Sequence, residues 1–339
     1  MPSATPTEPK RWFVVASWLG MGLLLWLVLR FDLLPTVLAG LLVFEVVHLI
    51  SMRLRFLRER RARLIAVAFV AALVVGLLSL AAFAVLFFFR SESGGYVALL
   101  RKADEVIQIW RGLLPPWVLQ SLPADAAGLQ RLSTAWVREH LAEVRQYGRE
   151  GATTLARVVI GMVIGALVAL RQAQPPAGFG PFAGAMVERV VRFGQAFRRI
   201  IFAQLRIAAL NTALTAIYLA AVLPLLGFHL PLIKTMIVIT FIVGLIPVFG
   251  NLISNVVVVM VSLSVSPYVA VGSLVYLVVI HKLEYFLNAS LVGRQIKAAA
   301  WEMLLAMLLL ESIFGIAGLI AAPIYYAYLK DELSNRGWV

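Results

Sequence analysis

The chain has 339 residues, 62% of them hydrophobic, with a mean hydropathy of +0.92 and a formal net charge of +13. A soluble globular domain is about 45–50% apolar, so this composition excludes a soluble fold and places the chain in a membrane. No cysteine is present, which removes disulfides, thiol catalysis and thiolate metal sites. The positive charge does not point to nucleic acid, because it sits in short segments that each abut an apolar run. Residues 53–63 hold six arginines and one glutamate, residues 171–200 hold five arginines and one glutamate, and Lys10 and Arg11 stand against Glu8. That is the pattern of loops retained in the cytoplasm, with anionic lipid as a secondary contact.

In chain order, three apolar runs come first, at about 12–29, 33–52 and 64–89. Each is long enough to cross about 30 Å of hydrocarbon as a helix. Bulky Leu and Trp continue through the first run with no small-residue cleavage site, so it reads as an uncleaved span. Arg30-Phe31-Asp32 joins it to the second as a tight hairpin. The arginine-rich loop at 53–63 is expected in the cytoplasm, and the N-terminus with it. These spans form a first region, 1–89. Residues 90–152 carry eight basic and seven acidic residues and read as a nearly neutral extracytoplasmic helical cap. Within it a helix is expected over 96–113. After Pro115, Pro116 and Pro123, the residues Leu129, Leu132, Trp136, Leu141 and Val144 recur at helical spacing.

The third region, 153–339, is the expected transport core. A fourth span covers 153–170, where Gly161 and Gly165 make a small-xxx-small pair that lets helices approach closely. Residues 182–200 interleave Met186, Val187, Val190, Val191, Phe193 and Phe197 with Arg189, Arg192, Arg198 and Arg199, which reads as an amphipathic helix on the cytoplasmic surface. A fifth span follows at 203–226 and a sixth at 231–249. Residues 251–280 would make a helix of about 45 Å, too long for one straight crossing, and Ser266-Pro267 divides it. Residues 303–329 raise the same question. Each is either one span or a re-entrant hairpin, giving eight spans or six crossings; both counts put the C-terminus in the cytoplasm. The fold class expected is an all-α polytopic membrane protein of about eight hydrophobic segments. Its candidate breaks are Pro247, Gly250, Pro267, Gly315, Gly318 and Pro323. Broken helices free backbone groups that lipid cannot satisfy, and transporters use them to build sites near the midplane.

Three blocks in the C-terminal third resemble the AI-2E (autoinducer-2 exporter) family of bacterial membrane proteins. They are Gly244-Leu245-Ile246-Pro247-Val248-Phe249-Gly250, Leu283-Glu284 followed by Leu291-Val292-Gly293-Arg294, and the closing Phe314–Pro323 stretch. The middle block departs from the family pattern: Asn288-Ala289-Ser290 stands where a proline is usual, and His281 or Lys282 where a glutamine is common. Asn251 stands where a proline often follows the first block. The resemblance implies a homo-oligomeric transporter, a pentamer, in the bacterial cytoplasmic membrane, without naming its cargo. Family members are linked to signal export, to sodium–proton antiport or to no known substrate.

Candidate pathway residues are ionisable or polar groups at membrane depth, where an acid costs at least about 2.5–3.5 kcal/mol near the centre. Glu311 is the deepest acid of the last run; it either handles an ion or is a protonated carboxyl bonded to a neighbouring helix. Glu284 lies beside His281 and Lys282, and His281 shares its helix face; together they carry a proton, or they form an interfacial salt bridge. Glu45 and His48 also share a face. A di-iron site would need two such pairs and two more glutamates, and the chain has four histidines and no second Glu-x-x-His, so no metal is expected. Arg206 and Lys234 read as snorkelling side chains, with Asn211 one turn deeper than Arg206. Asn251, Ser254 and Asn255 form a polar face after the Pro247–Gly250 break, suited to an anion or polar solute or to interhelical hydrogen bonds. No GxSxG, Walker, HExxH or dinucleotide GxGxxG motif occurs, so no enzyme activity, no cofactor and no ATP-driven transport is expected. The primary expectation is a secondary exporter of a small polar solute. Monovalent-cation antiport is the alternative, and a non-transporting scaffold that presents 90–152 to a partner is a further one.

Overall fold

A computed structural model describes residues 11–54, 57, 59–90, 104, 108, 126–171, 179–245, 249–291 and 299–338. The elements found there are helical: α1 (Arg11–Arg30), α2 (Leu34–Arg53), α3 (Glu59–Arg90), α4 (Ala126–Glu139), α5 (Leu141–Leu170), α6 (Pro181–Ile217), α7 (Ile233–Gly244), α8 (Phe249–Leu263), α9 (Pro267–Leu291) and α10 (Ala300–Ser334). Six of the runs are long and apolar enough to cross a membrane, and three shorter apolar helices accompany them. The chain is therefore an all-α polytopic membrane protein. The helix expected over 96–113 lies almost wholly outside the described residues, as does Pro247.

Several boundaries differ from the sequence expectation. The fourth span is the second half of α5, which starts at Leu141. The basic segment at 182–200 and the span after it form one continuous rod, because nothing between Pro181 and Ile217 breaks the helix. A π-helical turn, Tyr218–Val222, then carries the rod to Leu225. The expected sixth span is only the twelve residues of α7, about 18 Å at 1.5 Å per residue, short of a crossing. The run at 251–280 is two helices, α8 and α9, joined by a tight turn at 264–266.

For the run at 303–329, left open as one span or a re-entrant hairpin, the structure takes the second form. Gly315 has φ 61 and ψ −143 inside α10, a conformation essentially reserved for glycine. There the chain reverses. A Cβ on Gly318 would overlap the Leu310 carbonyl, eight residues back, whereas a straight helix would separate the two by about 12 Å. The run is a helical hairpin with arms 300–314 and 316–334, and glycine is required both at the turn and at the contact.

The chain divides into two compact units: Met1–Val67, Leu155–Ile207 and Glu284–Val339 in one, and Ala68–Thr154 and Ala208–Leu283 in the other. In the first, Met21 and Leu25 of α1, Phe193 and Phe197 of α6, and Ile324 and Tyr328 of the second hairpin arm form one buried cluster. A Cβ on Gly161 would overlap the Thr36 carbonyl, and one on Gly165 the Gly40 carbonyl. Absent side chains thus let α5 lie directly on α2, as the glycine spacing foretold. Lipid is as apolar as leucine, so such contacts stabilise by packing rather than by exclusion of water. The second unit is centred on Tyr218, Leu219, Met236, Val258, Val269 and Leu277, which tie the π-helical turn to α7, α8 and α9. A Cβ on Gly250 would overlap the Val243 carbonyl, so α8 leaves its turn pressed against the end of α7.

Candidate transport site

The hairpin in the first unit brings together residues that are remote in sequence. Glu302 accepts a hydrogen bond from Lys330 Nζ at 2.6 Å, another from Tyr326 Oη, and one from the Ala299 backbone N–H at 3.3 Å. In a straight helix Glu302 and Lys330 would stand about 42 Å apart. These three side chains close the open end of the hairpin, opposite Gly315.

Two residues further along the second arm, Glu332 is 6% exposed, and its partner Arg189 on α6 is 2% exposed. Arg189 Nη1 donates to both Glu332 oxygens, at 2.9 and 2.7 Å, and Arg192 Nη1 adds a third bond at 3.1 Å. Arg199 pairs with Asp331. Breaking a buried pair of this kind by removing one partner typically costs about 3–5 kcal/mol. The basic stripe of 182–200, expected on the membrane surface, therefore has its first arginine buried. The two acids near the end of the chain supply the partners, while Val187, Val190 and Val191 are exposed.

Between α1 and both arms of the hairpin lies a cavity of about 820 Å³. Leu25, Leu29, Leu309, Leu310 and Phe314 form much of its wall, and Glu302, Tyr326, Lys330 and Glu332 line its polar end. The mouth is aromatic and cationic. The Trp18 ring has Arg336 Cζ at 5.2 Å and Arg189 Cζ at 5.7 Å from its centroid, with Trp338 packed edge-on at 5.6 Å. Also in this unit, Glu45 is 8% exposed. Arg198 Nε lies 3.7 Å from its Oε2, which has no hydrogen-bond partner. His48 on the same helix is exposed.

The second unit gathers neutral polar groups. Asn211 Nδ2 donates to Asn251 Oδ1 at 2.8 Å, which pins the start of α8 to α6. Ser254 is buried and donates to the Asn251 carbonyl, and Asn255 is half-buried. Deeper, Ser273 Oγ lies 3.0 Å from Tyr218 Oη and 2.8 Å from Ser262 Oγ, and Tyr276 Oη donates to the Leu214 carbonyl. Tyr218 and Tyr276 stack at 3.9 Å. π-Turns such as the one that starts at Tyr218 are frequent at functional sites.

Within each unit the described candidate residues do not converge on one point. Glu311 is exposed on the first hairpin arm, away from the Glu302 cluster. His281 and Lys282 are exposed on α9, and the side chain of Glu284 lies outside the described residues. Arg206 and Lys234 are exposed and Asn211 is buried. Gly250, Gly318 and Pro323 are buried, Gly315 makes the hairpin turn, and Pro267 opens α9. Sequence reasoning missed Glu302, Tyr326, Lys330 and the Arg189–Glu332 pair. The usable signal was three acids at the ends of the last apolar run facing the charge of 182–200, but nothing short of the reversal at Gly315 brings Glu302 to Lys330.

Long apolar helices, with polar groups gathered where the chain folds back, define a multi-pass membrane protein. The family model for AI-2E family transporters matches residues 13–335, and the chain belongs to that family. It is also 31% identical over 149 residues to "Putative transport protein YdbI" of Bacillus subtilis (strain 168), a match covering 42% of this chain and 39% of that relative.

Proposed function

We propose that the chain is a secondary exporter that moves a small polar solute out across the bacterial cytoplasmic membrane as a homo-oligomer, with both termini in the cytoplasm. The observation that carries this reading is the pair of folded-back segments. The 300–334 hairpin and the short helices α7 and α8 are re-entrant elements, and α1, α2, α3, α5, α6 and α9 make six crossings. Polar groups then line the folds: Asn211, Asn251 and Asn255 in one unit, Glu302, Tyr326 and Lys330 in the other. Glu311, His281, Lys282 and Glu284 are further pathway residues that need a neighbouring copy, or a different state of the same chain, to become enclosed. Without a nucleotide-binding loop, a gradient drives the flux.

A specific observation favours a second reading, exchange of sodium or another monovalent cation for protons. Glu45 is buried in a span, and one of its oxygens lacks a hydrogen bond, which leaves a lone pair for a cation or proton. Arg198 would be the internal competitor. Purified protein in liposomes loaded with a small-molecule extract separates these readings. Under an imposed pH gradient, the external medium is followed by mass spectrometry and internal pH by a dye, while sodium, potassium and lithium are added in turn. Efflux of a polar metabolite that Glu311→Gln slows supports export. Cation-triggered proton movement lost in Glu45→Gln supports the second reading. Neither signal, in protein shown to be folded, contradicts both.

A further inference from the structure

We propose that the cavity between α1 and the 300–334 hairpin is a binding site for one anionic phospholipid, with an acyl chain along the cavity and the phosphate at its Lys330–Trp18–Arg336 end. This stands apart from the transport reading, since it concerns a bound lipid rather than the cargo.

Length, polarity and charge carry it. The cavity holds about 820 Å³, within the usual range of about 300–1,000 Å³ for small-molecule sites. Its lining runs from Trp18 to Leu29 on α1 and from Glu302 to Phe314 on the first arm. These stretches are about 16 and 18 Å long as helices, close to the ~15 Å of one leaflet's hydrocarbon. The charged side chains of the lining are confined to one end, where Trp18 and Trp301 sit, as tryptophans do at a membrane interface. A polar solute would leave the Leu-rich wall unmatched; an acyl chain fills it and brings its headgroup to the tryptophans.

The carboxylates at that end are already neutralised. Glu302 has Lys330 and Tyr326, Glu332 has Arg189 and Arg192, and Asp331 has Arg199. Arg336 lies over the Trp18 face, and among the described residues no carboxylate reaches ion-pair distance of it. That leaves an exposed guanidinium at the mouth for a phosphate, which it matches as a planar donor fork.

Gly22 provides a clean test. It lines the cavity, and a Cβ there would meet nothing within 4 Å. Gly22→Phe therefore occupies the space the chain would take, while replacing a helix-destabilising residue. Gly76→Phe, also free of neighbours within 4 Å but on α3, is the control. Each protein is delipidated in detergent and titrated with phosphatidylglycerol, phosphatidylcholine or glycerol phosphate. Bound lipid is counted by native mass spectrometry and Tm is followed. The expected result is one tightly held phosphatidylglycerol that raises Tm in wild type and Gly76→Phe. Affinity should fall about tenfold or more in Gly22→Phe, and Arg336→Gln should lose the preference over phosphatidylcholine. Glycerol phosphate, which lacks the chain, should have no effect. Equal lipid retention by Gly22→Phe and wild type, or an equal response to both headgroups in wild type, overturns the proposal. If Gly22→Phe does not fold, the headgroup comparison in wild type and Arg336→Gln still decides it.

Discussion

The 300–334 hairpin is closed by full charges, whereas α7, α8 and α9 are tied by hydroxyls and amides. Glu302–Lys330 and Arg189–Glu332 lie where the apolar run meets the charged ends of its helices. Ser262, Ser273 and Tyr218 lie within apolar helices, 0%, 0% and 4% exposed. Desolvating an ion costs several kcal/mol even when it is paired, and a hydroxyl much less. The two hairpins therefore differ in how much a single deletion should cost, and the chemistry that holds each follows the polarity of its surroundings.

That contrast can be broken at four points. Removing Glu332 strands a buried arginine, so Glu332→Ala should cost about 3–5 kcal/mol by thermal unfolding in detergent. The double substitution Arg189→Met with Glu332→Leu should recover most of that loss. A cost for Glu332→Ala no larger than that of a surface ion pair would show that buried charge is not what fastens the hairpin to α6. Next comes the turn. Gly315→Val forces a branched side chain to φ 61, a strain on the order of 1–3 kcal/mol, and should expose the hairpin arms to protease before the rest of the chain.

In the other unit, Ser273→Ala removes the hydroxyl shared by Tyr218 and Ser262. Interhelical hydrogen bonds in membrane proteins average about 0.6 kcal/mol, with a maximum near 1.7, so a small shift in Tm is expected. A loss as large as that of Glu332→Ala would erase the distinction between the units. The smallest effect belongs to Glu59→Gln, which breaks an exposed i,i+4 pair with Arg63 and should change stability by about 0.3–0.5 kcal/mol. A larger change would mean that the 53–63 region is packed rather than solvated.

Much of the fold was legible from the sequence, because spans depend on local composition. The apolar runs, the α1–α2 hairpin and the close packing at Gly161 and Gly165 follow from residue type and spacing. The breaks at Ser266-Pro267 and Gly315 were visible as positions, and a reversal was one of the two readings open at each. A glycine marks where a chain can turn; the decision to turn comes from what the two arms meet, here Gly318 against the Leu310 carbonyl and Glu302 against Lys330. The same limit applied to the candidate site. Glu45 was identifiable as an acid inside a span, but its partner Arg198 lies 153 positions away. Arg189 looked like a surface charge until Glu332, 143 residues on, was brought onto it.

The claim on which the rest depends is that 300–334 folds back at Gly315. The chain contains no cysteine, so Met303→Cys with Leu329→Cys gives two unique labelling sites in an otherwise native background. Spin labels there should report a short separation, set by two packed arms whose axes lie about 8–10 Å apart. A separation near 39 Å, as a straight helix requires, would contradict the hairpin, its charged clasp and the cavity together.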